Sequence, residues 1–351
     1  MTLKLGMVGG GQGAFIGGVH RIAARLDGRW ELVAGALSSD PARAAASAAD
    51  LGIAPDRSYS DFAQMALAEA SRPDGIAAVA IVTPNHLHAK VATAFLRAGI
   101  AVICDKPMTA TLPEAEELAA LAAETSVPFV LTQTYTGYPM VREARRMIAE
   151  GAIGAVRHVQ VEYLQDWLAG PLEQSGQKQA AWRTDPRMSG EGGCIADIGT
   201  HAVNLASFVT GLRLDRVLAD LTAFGPGRRL DDNASVLLRF DTGAKGMIWA
   251  SQIVPGTKNA LRFRIAGDQG GLSWDQETPE HLEFTPTGKA TRTLRRGGEE
   301  TLTPARIPAG HPEGYLEAFA TLYADAAAAL SRGIPARFEH GGKTFFLRVS
   351  L

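Results

Sequence analysis

Two short motifs carry side chains that can transfer protons or stabilise a developing negative charge. The first is Cys104-Asp105-Lys106-Pro107, in which a proline follows a lysine. The proline stiffens this turn, and the peptide bond before it can adopt the cis form. The ammonium group of Lys106 can bind a substrate hydroxyl and stabilise an alkoxide as it forms. The structural alternative is a surface lysine at the start of a loop.

The second motif is the glycine-rich segment 190–201, which contains Asp197 and His201. If a helix has begun by Asp197, the two side chains lie one turn apart on the same face. Histidine titrates near neutral pH, so such a pair is suited to general acid–base catalysis. The structural alternatives are a helix N-cap for Asp197 and a satisfied core position for His201. No clear ligand set for a metal lies nearby, and we expect no metal.

A glycine-rich loop follows the first apolar run of the chain. Gly9, Gly11 and Gly17 resemble the dinucleotide fingerprint, which needs glycine where the backbone turns tightly and approaches a pyrophosphate. Five residues separate the last two of these glycines, which indicates a three-residue insertion within 12–15. The alternative is a flexible glycine turn. The residues expected to surround the pyrophosphate are Gly9, Gly11, Gln12, Gly13, Ala14, Phe15 and Ile16.

The second apolar run should end beside the adenosine ribose of such a cofactor. It continues into Ser38, Ser39 and Asp40, with Arg43 downstream. The serines leave room for a 2′-phosphate that Arg43 can pair with, which favours NADP. Asp40 can instead bind the ribose hydroxyls, which favours NAD, or it can cap the following helix. The sequence leaves the choice between NAD and NADP open.

The first third of the chain alternates apolar runs with helical patterns. The runs are continuously apolar, as expected for parallel strands that are buried on both faces. We therefore predict an α/β fold that starts with a doubly wound parallel sheet. The predicted strands are 3–8, 31–37, 76–82, 100–104 and 127–131. The predicted helices are 41–51, with Asp40 as N-cap, 61–70, 86–98, followed by a C′ glycine at Gly99, and 113–123.

The second part of the chain alternates with a period of two residues. This pattern predicts a large, mostly antiparallel open sheet in a C-terminal α+β domain. We place a nucleotide-binding domain at 1–130 and a substrate-binding and oligomerisation domain at 131–351. The predicted strands are 156–164, 234–240, 245–253 and 261–266, and the predicted helices are 139–149 and 312–330. Loop with short edge strands is expected over 286–311, and the chain is expected to end at Leu351 within a last helix. Tyr163, Gln165 and Asp166 end a strand and can reach a pocket.

The composition excludes several classes of protein. The 351 residues are 46% apolar and 21% charged, and 35 Lys and Arg stand against 37 Asp and Glu. The net charge of −2 argues against a nucleic-acid partner, and no apolar run is long enough to span a membrane. There is no secretory signal pattern, and two cysteines are too few for a disulfide scaffold. A cytoplasmic location is the expectation.

Taken together, the motifs resemble the glucose-fructose oxidoreductase / inositol dehydrogenase (Gfo/Idh/MocA) family along nearly the whole chain. The residues that carry the resemblance are Gly9, Gly11, Gly17 and His20, the segment 83–88, Asp105-Lys106-Pro107, Trp182-Arg183, and Gly192-Gly193 with 197–201. The resemblance implies a two-domain, NAD(P)-dependent enzyme that acts on sugars or cyclitols. It also implies a homodimer or homotetramer that packs through the C-terminal sheet.

The resemblance assigns roles residue by residue. Lys106 matches the lysine of a Glu-Lys-Pro motif, and Asp197 and His201 match the pair that binds the reacting hydroxyl. Thr83, Pro84, Asn85 and His88 match a segment that lines the ribose and nicotinamide, with Asp105 and Lys106 also beside the cofactor. The departures from the family pattern are Asp105 in place of glutamate, the longer glycine loop, Asn204 in place of an acidic residue, and the segment 135–139.

The leading hypothesis is interconversion of an alcohol and a ketone on a polyol ring. His201 is the general base, Lys106 stabilises the alkoxide, and Asp197 orients substrate and histidine; which of His201 and Lys106 takes the proton stays open. Trp182, Arg183 and Tyr163 contact substrate, or Trp182 and Arg183 are a structural pair. A non-catalytic dinucleotide-binding sensor and an imine or double-bond reductase are the alternatives. The hypothesis requires Lys106 and His201 to converge beside one nicotinamide.

Overall fold

The computed structural model describes residues 2–331, 337–340 and 343–346. The chain forms two compact units. The first contains the residues up to Thr134 together with those from Phe319 onward, and the second is Tyr135–Ala318. The first boundary lies close to the predicted one at residue 130. The prediction that everything after residue 131 belongs to a second domain was wrong for the residues from Phe319 onward.

The first unit contains a parallel sheet with helices between its strands. The described strands of this sheet are β1 (Leu3–Gly9), β2 (Trp30–Ala36), β3 (Ala78–Val82), β4 (Ala101–Cys104) and β5 (Phe129–Leu131), in the order β2-β1-β3-β4-β5. The helices are α1 (Phe15–Leu26), α2 (Pro41–Asp50), α3 (Phe62–Ser71), α4 (Asn85–Arg97) and α5 (Leu112–Thr125). Every residue of β3 and β4 is buried, because helices cover the sheet. The predicted doubly wound parallel sheet is confirmed.

The strand order creates a topological switch point between β1 and β3. β1 pairs with β2 on one side and with β3 on the other. The connection after β1 leads to β2 on one side, and the connection after β3 leads to β4 on the other side. The loops that follow β1 and β3 therefore diverge. Ligands of open α/β sheets bind at such a switch point, outside the carboxyl ends of the strands. Here those ends are Gly9 of β1 and Val82 of β3, which Thr83 follows.

Local sequence signals set the helix boundaries in this unit. The Asp40 carboxylate accepts a hydrogen bond of 2.7 Å from the Arg43 amide, and Pro41 occupies the first helical position of α2. Gly99 follows α4 with φ of +76°, a conformation that favours glycine. Both predicted helix ends are therefore confirmed.

The second unit is built on a larger sheet. Its strands are β6 (Val156–Leu164), β7 (Leu214–Thr222), β8 (Asn233–Phe240), β9 (Lys245–Ser251), β10 (Ala260–Gly267), β11 (Gly270–Asp275), β12 (His281–Pro286) and β13 (Arg292–Arg295). In the described chain their order is β13-β12-β11-β10-β6-β9-β8-β7. Neighbouring strands pair antiparallel except β6 and β9, which pair parallel. The predicted, mostly antiparallel sheet is confirmed; sequence analysis missed β7, β11 and β12.

Helices cover one face of the large sheet. The helices that begin in this unit are α6 (Pro139–Ala149), α7 (Lys178–Arg183), α8 (Pro186–Ser189), a π-helical turn at Ile195–Gly199, α9 (Thr200–Thr210) and α10 (Tyr315–Ser331). Apolar residues of α6 and α9, such as Val141 and Leu205, share one core with Val161, Ile248 and Phe263 of the sheet. β8 alternates buried and exposed residues, so its other face is open.

Helix α10 begins in the second unit and ends in the first. Its Tyr323 hydroxyl lies 2.9 Å from Nδ1 of His20 on α1, and the Trp30 indole donates to the Tyr323 carbonyl oxygen at 2.8 Å. These buried polar contacts explain why the chain beyond Phe319 belongs to the nucleotide-binding unit. Two strands, β14 (Arg337–His340) and β15 (Lys343–Phe346), follow where a last helix was expected. The expected end of that helix at Leu351 lies outside the described residues.

Across the described residues, no helix combines the length and the apolar character that a membrane crossing requires.

Replacing Tyr323 with phenylalanine tests how α10 is held. The substitution leaves a buried ring nitrogen of His20 without its hydroxyl partner, which costs about 1 to 3 kcal/mol. We therefore expect a lower unfolding midpoint in urea. Unchanged stability would contradict this role for the His20–Tyr323 contact.

Candidate active site

A close contact between two backbones shapes the glycine loop. Gly10, just after β1, has φ of +72°. A Cβ added to Gly17 would lie 2.5 Å from the Cα of Gly10. α1 therefore packs directly on the loop, and only glycine permits this approach. The contact gives Gly17 the role of the last glycine of the fingerprint. The extra residues of the insertion lie between the two contacting glycines, where they are mostly exposed.

The first turn of α1 lies open to an anion. Ala14 caps the helix without a side-chain hydrogen bond, and the first turn contains no acidic residue. The early N–H groups and the positive end of the helix dipole are therefore left for a ligand. The loop borders a cavity of about 300 Å³, whose lining residues include Gly10, Gly11, Gln12, Gly13, Ala14, Phe15 and Arg21. These features fit a dinucleotide pyrophosphate.

Three side chains that sequence analysis did not single out hold this loop. Ser47 Oγ accepts a hydrogen bond of 3.1 Å from the Gln12 amide, and Asp50 accepts one of 2.7 Å from the Gln12 side chain. The Arg21 guanidinium donates to the Gly10 carbonyl oxygen at 2.6 Å. Gln12 thus anchors the loop to α2.

The end of β2 has the features on which the ribose prediction rests. Ser38 Oγ accepts a hydrogen bond of 3.1 Å from the Asp40 amide, while Asp40 itself caps α2. Ser39 and Arg43 are exposed. Asp40 therefore acts first as the helix cap, and the exposed Ser39 and Arg43 leave both cofactors possible.

His88 joins the loops that follow β3 and β4. It is 1% exposed, and its ring nitrogens lie 2.6 Å from the Pro107 carbonyl oxygen and 2.9 Å from that of Thr83. This side chain therefore supports the segment 83–88 from inside, whereas it was expected to line the cofactor. Pro84 is exposed and Asn85 is half-buried, at the start of α4.

Polar atoms near the end of β3 fit a bound cofactor. Thr83 Oγ1 and His86 Nδ1 are buried and have no hydrogen-bond partner in the described chain. Buried polar atoms rarely stay unpaired, so these two atoms are suited to a ligand at the switch point.

Lys106 is half-buried just after β4, and the Lys106–Pro107 bond is cis. The Asp105 carboxylate accepts a hydrogen bond of 3.2 Å from Thr132 and lies 3.7 Å from Nε2 of the buried His20. Burial raises the pKa of Asp105, but His20, Lys106 and His88 outweigh burial and hold that pKa below its usual value. Asp105 therefore carries a negative charge behind the lysine.

In the second unit, the Asp231 carboxylate holds the start of the helical segment that carries Asp197 and His201. Asp231 accepts hydrogen bonds from the amides of Gly193, at 2.7 Å, and Ile195, at 2.8 Å. A Cβ on Gly193 would lie 2.0 Å from the Asp231 carbonyl oxygen, so glycine is required there. Asp231, rather than Asp197, satisfies this helix start.

Asp197 lies on the π-helical turn and His201 on the first turn of α9. Such turns are frequent at functional sites because they redirect side chains. Oδ2 of Asp197 accepts two hydrogen bonds, at 2.9 Å from Gln252 Nε2 and at 3.2 Å from Arg183 Nε. The Arg183 guanidinium also stacks on the Trp182 ring, 4.1 Å from its centroid. The structure thus brings Asp197, Arg183 and Trp182 together.

His201 lies against two buried tyrosines. Its ring is 6% exposed, with the Tyr135 ring perpendicular to it at 4.8 Å and the Tyr163 ring at 6.0 Å. The two hydroxyls lie 2.5 Å apart, and Tyr163 donates at 2.6 Å to Oδ1 of Asn259. Burial raises the pKa of both tyrosines, so both are neutral. Tyr163, expected to contact substrate, is 3% exposed, and its hydroxyl bonds within the protein.

A row of amides continues from the tyrosines. Gln165 donates to Oδ1 of Asn259 at 3.0 Å and accepts from the Trp167 indole at 2.9 Å. Asp166 instead pairs with the exposed Lys258, at 2.8 Å. Sequence analysis missed Gln252 and Asn259. The signal for Gln252 is that β6 and β9 pair parallel, with Leu164 opposite Ser251, so Gln165 and Gln252 both follow strands that end at one edge.

Within the described residues, no group of three or more His, Cys, Asp or Glu is placed to hold a metal ion.

Comparisons with known proteins agree with this geometry. Residues 3–134 match the oxidoreductase family with an NAD-binding Rossmann fold, and residues 141–273 match the GFO/IDH/MocA C-terminal domain. The chain therefore belongs to the Gfo/Idh/MocA family of oxidoreductases, and its first unit has an NAD-binding Rossmann fold.

Three relatives illustrate the similarity. An oxidoreductase from Sinorhizobium meliloti is 53% identical, with a TM-score of 0.85 over 95% of this chain and 89% of the other. An inositol dehydrogenase homolog from Azotobacter vinelandii, solved with NAD⁺, is 36% identical, with a TM-score of 0.90 over 95% and 88%. A levoglucosan dehydrogenase from Pseudarthrobacter phenanthrenivorans is 29% identical over 88% of this chain and 82% of its own length.

Substituting the two adjacent glycines of α1 tests the cradle. Gly17→Ala forces the helix away from Gly10, so we expect dinucleotide affinity, measured by fluorescence titration with NADH, to fall by about tenfold or more. Gly18→Ala is the matched control, because the nearest atom to its added Cβ is 3.9 Å away. It should keep the affinity and gain up to about 1 kcal/mol of helix stability. Equal affinity of both variants would contradict the assignment.

Proposed function

We propose that this protein transfers a hydride between NAD(P) and a secondary alcohol or ketone of a sugar, a sugar derivative or a cyclitol. The observation that supports this most directly is the π-helical turn before α9, which puts Asp197 and His201 on consecutive turns. Asp197 is held there by Arg183 and Gln252. A carboxylate beside a histidine is suited to binding and deprotonating a hydroxyl. The NAD-binding fold of the first unit supplies the redox partner.

The chemistry of the second unit favours a polyhydroxylated, uncharged substrate. Amides and hydroxyls dominate around Asp197 and His201, namely those of Gln165, Gln252, Asn259, Tyr135 and Tyr163. The charge of Arg183 is balanced by Asp197. Relatives named for inositol and levoglucosan support the same class.

The residues have distinct roles in this proposal. The nicotinamide, when bound, accepts or supplies the hydride. His201 takes the hydroxyl proton as general base, Lys106 stabilises the alkoxide, and Asp197 orients the hydroxyl and the histidine.

The hydrogen-bond directions around the tyrosines support His201 as the base. The Trp167 indole can only donate, so the Gln165 oxygen faces it and the Gln165 nitrogen faces Asn259. Tyr163 then donates to Asn259, and Tyr135 donates to Tyr163. Both hydroxyl protons are thus committed within the protein. Neither tyrosine is placed to exchange a proton with a substrate.

The open face of the large sheet fits a homo-oligomer. Leu218 of β7, Leu237 of β8 and Met247 of β9 are cross-strand neighbours, and each is at least 38% exposed. Trp249 extends this row, and a depression of about 520 Å³ lies among its residues. Contiguous apolar surface of this kind marks an interface. We propose that a second copy of the chain covers it, giving a dimer or a tetramer.

Cys104 and Cys194 are buried and not linked to one another. Free thiols agree with the cytoplasmic location that we propose.

A substrate screen tests the reaction. We expect reduction of NAD⁺ or NADP⁺, read by nicotinamide absorbance, with at least one cyclitol or neutral sugar. Lys106→Ala and His201→Ala should each lower kcat by about 10² to 10⁴-fold, because each removes a group that acts in proton transfer or charge stabilisation. Lys90→Ala, an exposed lysine on α4, is the control and should keep full activity.

The same screen separates the alternatives. Cofactor binding without turnover of any polyol would favour a sensor. Turnover of imines or activated double bonds with NAD(P)H, but not of ketones, would favour a reductase of a different kind. Wild-type turnover in Lys106→Ala would refute the assigned role of Lys106.

A charged substitution tests the oligomer. Leu237→Glu puts a carboxylate in the centre of the apolar row, and burying an unpaired charge at an interface is costly. We expect its mass by light scattering to drop to that of a monomer, whereas Leu67→Glu, at a position 70% exposed on α3, should match wild type. A monomeric wild type, or an unchanged mass for Leu237→Glu, would contradict the proposed interface.

A further inference from the structure

Gln252 is placed to control the orientation of Asp197. It directly follows β9 and is 3% exposed. Its backbone amide donates to the Asp232 carbonyl oxygen at 3.0 Å, and Asp232 is itself buried at 1% exposure. The start of the Gln252 side chain is therefore fixed by rigid, buried backbone.

The orientation of the Gln252 amide is fixed from two sides. Its nitrogen lies 2.9 Å from Oδ2 of Asp197, and a carboxylate can only accept. The same nitrogen lies 3.5 Å from Oε1 of Gln165, which the Trp167 indole identifies as an oxygen. Both hydrogens of the nitrogen therefore have an oxygen to face, and a flipped amide would put oxygen against oxygen.

The second donor to Asp197 is held less firmly. Arg183 belongs to the short helix α7, and its side chain is 25% exposed. It shares the same carboxylate oxygen at 3.2 Å. Of these two donors, the buried glutamine is thus the more rigid, since less side-chain freedom is left to it.

We propose that Gln252 is a positioning residue that fixes the Asp197 carboxylate for the reaction. The inference rests on the proposed function, because it assigns Gln252 its effect through Asp197. Gln252 holds Oδ2, and the direction of the carboxylate toward a bound hydroxyl follows from that contact. A displacement of about 1 Å in such a group is enough to cost up to about 100-fold in rate.

The isosteric substitution Gln252→Glu gives the sharpest test. At alkaline pH it replaces the donor with a second carboxylate facing Asp197, so the two repel and Asp197 loses its orientation. As pH falls, two facing carboxylates share one proton, and the protonated member donates across the gap as the amide did. Other titratable or charged groups face Asp197 or lie around its turn. They are the same in wild type and in Gln252→Glu, so the ratio of the two kcat values removes their effect. These groups are Arg183, His201, Tyr135, Tyr163, Asp231 and Asp232.

We expect the ratio of kcat in Gln252→Glu to kcat in wild type to be lowered about 10- to 100-fold at about pH 8. The ratio should recover by about tenfold as the pH is lowered to about 6. Gln252→Leu, which lacks any donor, should be impaired to a similar degree without recovery. The control Gln269→Glu makes the same chemical change at an exposed position and should follow wild type at every pH.

Two readouts separate this inference from the proposed function. NADH affinity by fluorescence should be the same in wild type, Gln252→Glu and Gln252→Leu, because the residue acts on Asp197 and not on the nucleotide. If wild type turns over a polyol and the Gln252→Glu ratio is flat with pH, or equals that of Gln269→Glu, the positioning role is overturned and the proposed function stands. If wild type turns over no polyol at all, both fall.

Discussion

The parallel pairing of β6 with β9 is the constraint on which the candidate substrate side depends. When two neighbouring strands are antiparallel, the residues that follow them emerge at opposite ends of the pair. Here both strands end at one edge, with Leu164 opposite Ser251, so Gln165 and Gln252 leave the sheet together. Gln252 then reaches Asp197, and Gln165 reaches Asn259, which also accepts a hydrogen bond from Tyr163 beside His201. One exception to the antiparallel rule thus places the support of both Asp197 and His201.

The nucleotide-binding side depends on a different contact, between two glycine backbones. Because Gly10 and Gly17 touch directly, the helix start is fixed to the end of β1 whatever the length of the segment between them. The inserted residues therefore project as an exposed loop, which Gln12 ties to α2. This arrangement explains how a loop longer than the usual fingerprint can still offer the helix N-terminus to a phosphate.

Features encoded by neighbouring residues could be predicted from the sequence, and features that depend on distant pairing could not. The parallel strands, the Asp40 cap and the glycine after α4 follow from local apolar runs and capping chemistry. The Asp–His helix was anticipated, yet Asp231, which holds its start, lies far along the chain and has no local signature. Gln252 became visible only with the strand register, and the return of α10 only with the contact between Tyr323 and His20.

The hydrogen bonds among the side chains around His201, from Trp167 to Tyr135, have a single set of directions. The series starts at an indole that can only donate, and each amide and hydroxyl that follows has its direction set by the one before. Burial raises the pKa of Tyr135 and Tyr163, so the hydroxyls stay protonated through the neutral range. Amides do not titrate there either. These supporting side chains therefore keep one charge state and one hydrogen-bond pattern through the neutral range.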